Sequence, residues 1–213
     1  MRVEVAMLEN WYEVQISHTD SVANDQTVRQ LIYPLLTPSS TARAVDSTER
    51  IKTGMALKKE LQPLLQVHHD DGCIIFDREQ HIAAASNDDL VGLERVEQYQ
   101  PLLTRVLAGQ STVSAPMTSM VLLRNADGQL QSNMPTMFAC SPVRDSDFQV
   151  VGAIALRIRP EDAFTKILQL GRLGSSGETY AFNREGLMVS NSRFDHDLIL
   201  ADLLPTSCSI STS

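Results

Sequence analysis

Four residues of this chain are written twice. Phe76-Asp77-Arg78-Glu79 returns as Phe182-Asn183-Arg184-Glu185, with the two phenylalanines 106 positions apart (182 less 76). Each copy follows a short apolar or aromatic run, Cys73-Ile74-Ile75 in the first and Thr179-Tyr180-Ala181 in the second. Each precedes another, Ile82-Ala83-Ala84-Ala85 and then Leu187-Met188-Val189. That is strand, polar turn, strand, in duplicate. A spacing of about 100 residues is a domain length and not a solenoid period. One domain type is therefore expected twice, the second copy ending soon after its first hairpin.

The chain has 213 residues, enough for one large domain or two small ones. Hydrophobic residues at 43% and charged residues at 21% are ordinary for a globular protein and argue against disorder. Lys and Arg number 18 against 26 Asp and Glu, a net charge of −8, and no basic run stands out. Nucleic-acid and anionic-membrane binders need a basic footprint, so neither partner is expected. Three cysteines, Cys73, Cys140 and Cys208, do not make a disulfide framework. Cys73 and Cys140 sit in apolar runs and read as buried hydrophobes, with a bridge between paired strands as the alternative. No run of 18 apolar residues spans a membrane, and no basic region followed by an apolar one opens the chain as a signal peptide would.

Residues 2–36 read as helical, because Val3, Met7, Trp11 and Val14 recur at spacings of four, four and three. Asn24-Asp25 marks a break or a new cap. Residues 37–40 read as a loop, and a second helix is expected over 42–65, weakened by Gly54 and Pro63. The period then changes. Asp70-Asp71-Gly72 is a turn, 73–76 a strand, 77–80 a tight turn, and 81–85 a second strand. Residues 94–108 read as a helix stopped by Gly109, followed by strands over 111–115, 136–143 and 150–158. Hairpin-length connections make the sheet antiparallel, and helices should cover one of its faces. Pro160 is expected to open a helix over 161–170, and the tail 206–213 to fray.

The residues offer little for catalysis. His68-His69-Asp70-Asp71 has metal-ligand types, but adjacent side chains rarely converge on one ion, and a solvated helix end explains them. Gly171, Gly174 and Gly177 run from helix into strand, the reverse of a nucleotide loop. The acids of the repeated motif lie at wet hairpin tips, which do not raise a carboxylate pKa. No Gly-x-Ser-x-Gly elbow or kinase motif is present, and scattered Ser, His and Asp do not make a triad. The insertion 116–135 is more informative, since long loops in compact domains are often lids or binding loops. It carries Met117, Met120, Met134 and Arg124, with Met137 beyond; methionines adapt to apolar ligands and also fill cores. A pocket between this loop and the sheet would be lined by Tyr99, Arg105, Arg124, Thr136 and Phe138, and an arginine there suits a carboxylate ligand.

The Trp11-bearing helix, the run 72–85, the strands 136–143 and 150–155, and above all Gly174-Ser175-Ser176-Gly177-Glu178-Thr179-Tyr180-Ala181-Phe182 resemble the double Cache family of extracytoplasmic sensor regions. The resemblance implies an α+β fold: a long N-terminal helix, a PAS-like antiparallel sheet in the order β-β-α-β-β-β, and the start of a second PAS-like module. It implies an N-terminal helical region over 1–69, a membrane-distal module over 70–160, a connecting helix and turn over 161–177, and a truncated proximal module over 178–213. By the same resemblance the chain senses a small molecule without catalysis or cofactor, on the periplasmic side of a bacterial membrane, in a membrane-anchored kinase, cyclase or chemoreceptor. The family's amino-acid pattern is not matched: Tyr99 and Arg105 lie on the comparable helix, but no Trp follows. A second reading makes the chain a structural module that pairs with its twin through Val3, Met7, Trp11 and Val14, its pocket vestigial.

Overall fold

The N-terminal helix breaks where the sequence places competing hydrogen-bond groups. In the computed structural model, α1 spans Arg2–Asn24 and α2 spans Gln26–Leu36. Between them the Asp25 carboxylate accepts from the Val28 amide at 2.9 Å, capping α2. Residues 2–36, 47–68, 72–124 and 128–170 are described, with 177, 179–182, 186, 188, 190, 194, 197 and 200–202 beyond them. The loop expected at 37–40, the turns at 70–71 and 125–127, the His69-Asp70-Asp71 metal candidate, the glycines at 171 and 174, Asn183-Arg184-Glu185, Cys208 and the tail lie outside the described residues.

α3, Ser47–His68, runs through both Gly54 and Pro63. Packing overrides their poor propensity, since Leu57 and Leu61 are fully buried on its inner face. A hairpin follows, β1 (Cys73–Asp77) against β2 (Ile82–Ala85). The expected helix over 94–108 is shorter: a 3-10 turn at Glu97–Tyr99 leads into α4, Gln100–Leu107. Arg95 has a left-handed φ of 45° and Glu94 bridges to His81, so helical geometry starts only at the turn before Pro101. β3 is Thr112–Val113, shorter than the strand expected over 111–115. The insertion holds β4 (Met117–Thr118) and a small hairpin of β5 (Leu123–Arg124) and β6 (Leu130–Gln131). β7 (Pro135–Arg144) and β8 (Val150–Ile158) are the long strands. α5, Phe164–Gln169, begins later than Pro160, whose carbonyl instead accepts from the Thr165 amide at 2.9 Å.

The strands form an antiparallel sheet in the order β2-β1-β8-β7-β3, with β4 also on β7. The last strand in sequence is thus central. α2 and α3 pack on one face: Val28, Ile32, Leu35, Leu36, Leu57 and Leu61 meet Cys73, Ile75, Val143, Ile154 and Leu156. Burying such aliphatic side chains contributes about 1.5–3 kcal/mol each. The other face is covered as well, which corrects the expectation of a single covered face. Phe76, which follows Ile75 and so points the opposite way, packs on Tyr99 just before α4.

The chain divides into two compact units. One holds Tyr12–Met117 and Met137–Ile158, and the other holds Met1–Trp11, Thr118–Thr136 and Arg159–Ser213. The first contains the sheet. The second contains the β5–β6 hairpin, α5 packed with Trp11 on Phe164 at a centroid separation of 6.2 Å, and the second copy of the repeated motif. In that copy Phe182 bridges Met188 antiparallel, as Phe76 pairs with Ile82 in the first. Gly186 has φ of 79°, and its counterpart 106 positions earlier, Gln80, has φ of 70°. The two copies therefore match in this pairing and in this one positive φ, not only in letters.

Candidate functional site

The face of the sheet away from α2 and α3 gathers the aromatic side chains. At its centre β8 presents two small residues, Ala153 paired with Phe76 and Ala155 paired with Ile74 and Cys140. Small residues on the central strand leave room for rings from its neighbours. Tyr99 fills that room: its ring lies 5.6 Å from Phe76 and 5.5 Å from Phe138, edge-on to both. Such edge-to-face pairs are worth about 0.5–1.5 kcal/mol beyond their burial. All three rings are at most 3% exposed. The 3-10 turn holds Tyr99 in place, and Leu102, Leu103 and Val106 bury the inner side of α4 behind it.

Polar groups border the rings. Phe138 exchanges two hydrogen bonds with Ser114: its amide donates to Ser114 Oγ at 2.9 Å, and its carbonyl accepts from the Ser114 amide at 2.8 Å. Opposite Phe138 in β8 stands Arg157, 9% exposed. Cross-strand partners share a face, so this cation borders the aromatic chain. Thr136 is two residues before Phe138 along β7, and its buried hydroxyl has no hydrogen-bond partner among the described residues. Burial raises the Tyr99 hydroxyl pKa above its ordinary value and keeps it a neutral donor at physiological pH.

Of the five residues singled out from the sequence, Tyr99 and Phe138 come together. Thr136 lies on the strand that carries Phe138, in the other compact unit. Arg105 lies on the exposed side of α4. Arg124 is exposed in the β5–β6 hairpin and donates to the Gly128 carbonyl at 2.8 Å. Sequence reasoning passed over Arg157 and Phe76. The clue to the first was a lone arginine in the otherwise apolar run Val150-Val151-Gly152-Ala153-Ile154-Ala155-Leu156-Arg157-Ile158.

Other candidates resolve into structure. Asp77 uses both carboxylate oxygens on His81, one accepting from its amide at 2.8 Å and one meeting Nδ1 at 2.9 Å, a clamp on the hairpin turn. Cys73 and Cys140 are free and buried. They lie on β1 and β7, which flank β8 and do not pair, so the disulfide between paired strands is excluded. Burial raises both thiol pKa values and leaves them inert. Among the described residues no group of three His, Cys, Asp or Glu is arranged to hold a metal ion. No helix there is long and apolar enough to cross a membrane.

No family model and no curated protein matches the chain. Solved structures do. The sensory domain of the Campylobacter jejuni chemoreceptor Tlp3 with isoleucine bound matches with a TM-score of 0.56 at 13% identity, over 96% of this chain and 70% of that one. The ligand-binding domain of the same receptor with L-valine gives 0.55 at 12%, over 96% and 71%. The Escherichia coli DcuS sensor domain gives 0.50 at 10%, over 76% of this chain and 98% of that one. The fold is that of Cache/PAS-like sensor domains. Identities this low carry the fold and no residue role.

Proposed function

We propose that this chain is the extracytoplasmic, non-catalytic sensor region of a transmembrane receptor of kinase, cyclase or chemoreceptor type, and that it binds a small molecule. The observation that carries the reading is the fold, which is similar to that of sensory domains solved with amino acids bound, together with this chain's own aromatic face roofed by α4. Tyr99 and Phe138 supply the apolar floor of the site, and Arg105 of the same unit enters as a candidate partner of a ligand carboxylate. Thr136 and Arg124 belong to the other compact unit and enter as separate candidates, each with its own polar group. A small-molecule site pairs an apolar lining with a few placed polar groups, and this set has that composition. The distal module over 70–160 would hold the site, followed by a proximal module that begins at residue 178. Ligand binding would shift the population of sheet-unit conformations and so bias the N-terminal helix that leads toward the membrane.

The test is a thermal-shift screen against a metabolite panel that includes branched-chain amino acids and small carboxylates. Calorimetric titration of each hit would follow, using wild type, Tyr99→Phe, Phe138→Leu, Arg105→Ala and Arg124→Ala. Unchanged affinity in all four variants removes the residue assignment. A panel without hits, with a mass twice that of the monomer, favours the second reading, a dimerisation module. The tight burial of Phe76, Tyr99 and Phe138 and the exposure of Val3, Met7 and Val14 on α1 are what support that alternative.

A further inference from the structure

A concave site lies in the sheet-bearing unit, away from the aromatic face. Between α2 and the β7–β8 turn is a cavity of about 400 Å3 lined by Asn24, Arg29, Arg144, Asp145, Ser146 and Phe148. Arg29 is fixed there: Nε donates to the Tyr33 hydroxyl at 2.6 Å and Nη2 to the Arg144 carbonyl at 2.7 Å. Arg144 donates from Nη1 to the Phe148 carbonyl and from Nη2 to the Gly109 carbonyl, both at 3.1 Å. Every one of these acceptors is a neutral oxygen. Among the described residues neither guanidinium is paired with a carboxylate, in a chain whose net charge is −8. Asp145 is the acid in the lining. Its Oδ1 is already held by the amides of Asp147 at 3.0 Å and Gln149 at 2.9 Å. Each guanidinium keeps N–H donors beyond those it uses.

Phe148 gives the site its second character. It is 78% exposed and adopts φ of 60°, a left-handed conformation rare for a bulky side chain. The turn built on Asp145 imposes it, since the Phe148 amide donates to the Asp145 carbonyl at 3.2 Å. An exposed ring thus stands at the rim of a cavity whose walls carry two oriented arginines.

We propose that this cavity binds a small organic carboxylate bearing an aromatic or apolar group. The planar guanidinium fork suits an oxyanion, carboxylate or phosphate, and the exposed Phe148 ring favours one that also carries an apolar group. The Phe148 ring covers the apolar part of the ligand. The volume lies within the range of about 300–1,000 Å3 typical of small-ligand sites. Tyr99, Phe138 and the other residues of the aromatic face take no part, so this site stands or falls apart from the sensor reading.

Benzoate is the probe, titrated into the full chain by calorimetry, with benzylamine and inorganic phosphate in parallel. Saturable benzoate binding that exceeds both is expected. Phe148→Gly should weaken benzoate by about tenfold or more without lowering the thermal midpoint, because glycine accepts a positive φ. Arg29→Gln should weaken it further. The proposal is overturned by the absence of saturable benzoate binding, by benzylamine or phosphate binding as well as benzoate, or by a Phe148→Gly protein that binds benzoate like wild type.

Discussion

At the scale of single residues, close approach and burial decide the outcomes. A β-carbon at Gly152 would collide with the Phe76 carbonyl oxygen and lie 2.8 Å from both δ-carbons of Leu36. Backbone on one side and the end of α2 on the other leave it nowhere to move. Gly152→Ala is expected to cost about 2–4 kcal/mol, read as a lower urea midpoint. The cysteines set a pH limit. Burial raises both thiols above their ordinary value of 9.0. Below that pH the thiols are protonated folded and unfolded alike. Above it the unfolded chain releases protons that the folded chain retains, so stability falls as pH rises toward the folded-state values. Urea midpoints at pH 8 and pH 10 should show that fall, and Cys140→Ala should reduce it. Reading residues alone identified Cys73 and Cys140 as buried, because both sit in apolar runs. It left their pairing open, because pairing depends on which strand lies between them.

At the scale of elements, the repeated hairpin makes a prediction that one copy alone would not. The left-handed turn position holds Gln80 in the first copy and Gly186 in the second. Gln80→Gly removes the strain of a side chain at positive φ and should leave stability unchanged or raised by up to about 1 kcal/mol, measured by thermal unfolding. The α1–α2 break is a second case. Asp25→Ala deletes the cap on α2 and should cost about 1 kcal/mol. Both elements were legible in the sequence, since turn and cap chemistry act within a few residues. Element starts were less so. Residues 94–108 have helical spacing throughout, but the left-handed Arg95 and the Glu94 bridge to His81 keep the helix from forming before the turn at Glu97–Tyr99.

At the scale of the whole molecule, the sheet-bearing unit is built from Tyr12–Met117 and Met137–Ile158, with the 118–136 segment assigned elsewhere. A chain ending at residue 158 is expected to keep a cooperative unfolding transition by far-ultraviolet circular dichroism, because the sheet and both covering helix layers are retained. The duplicated hairpin, the antiparallel strands, a break or cap at Asn24-Asp25 and the α+β class are already readable along the chain. Those features follow from periodicity and turn residues, which are local. The central place of β8, the last strand of the sheet, emerges only when the strands are assembled. With it came the separation of Cys73 from Cys140, the meeting of Phe76, Tyr99 and Phe138 over Ala153 and Ala155, and the place of Arg157 beside them. Those are contacts between residues far apart in the chain, and strand order, which no local pattern encodes, sets which of them meet.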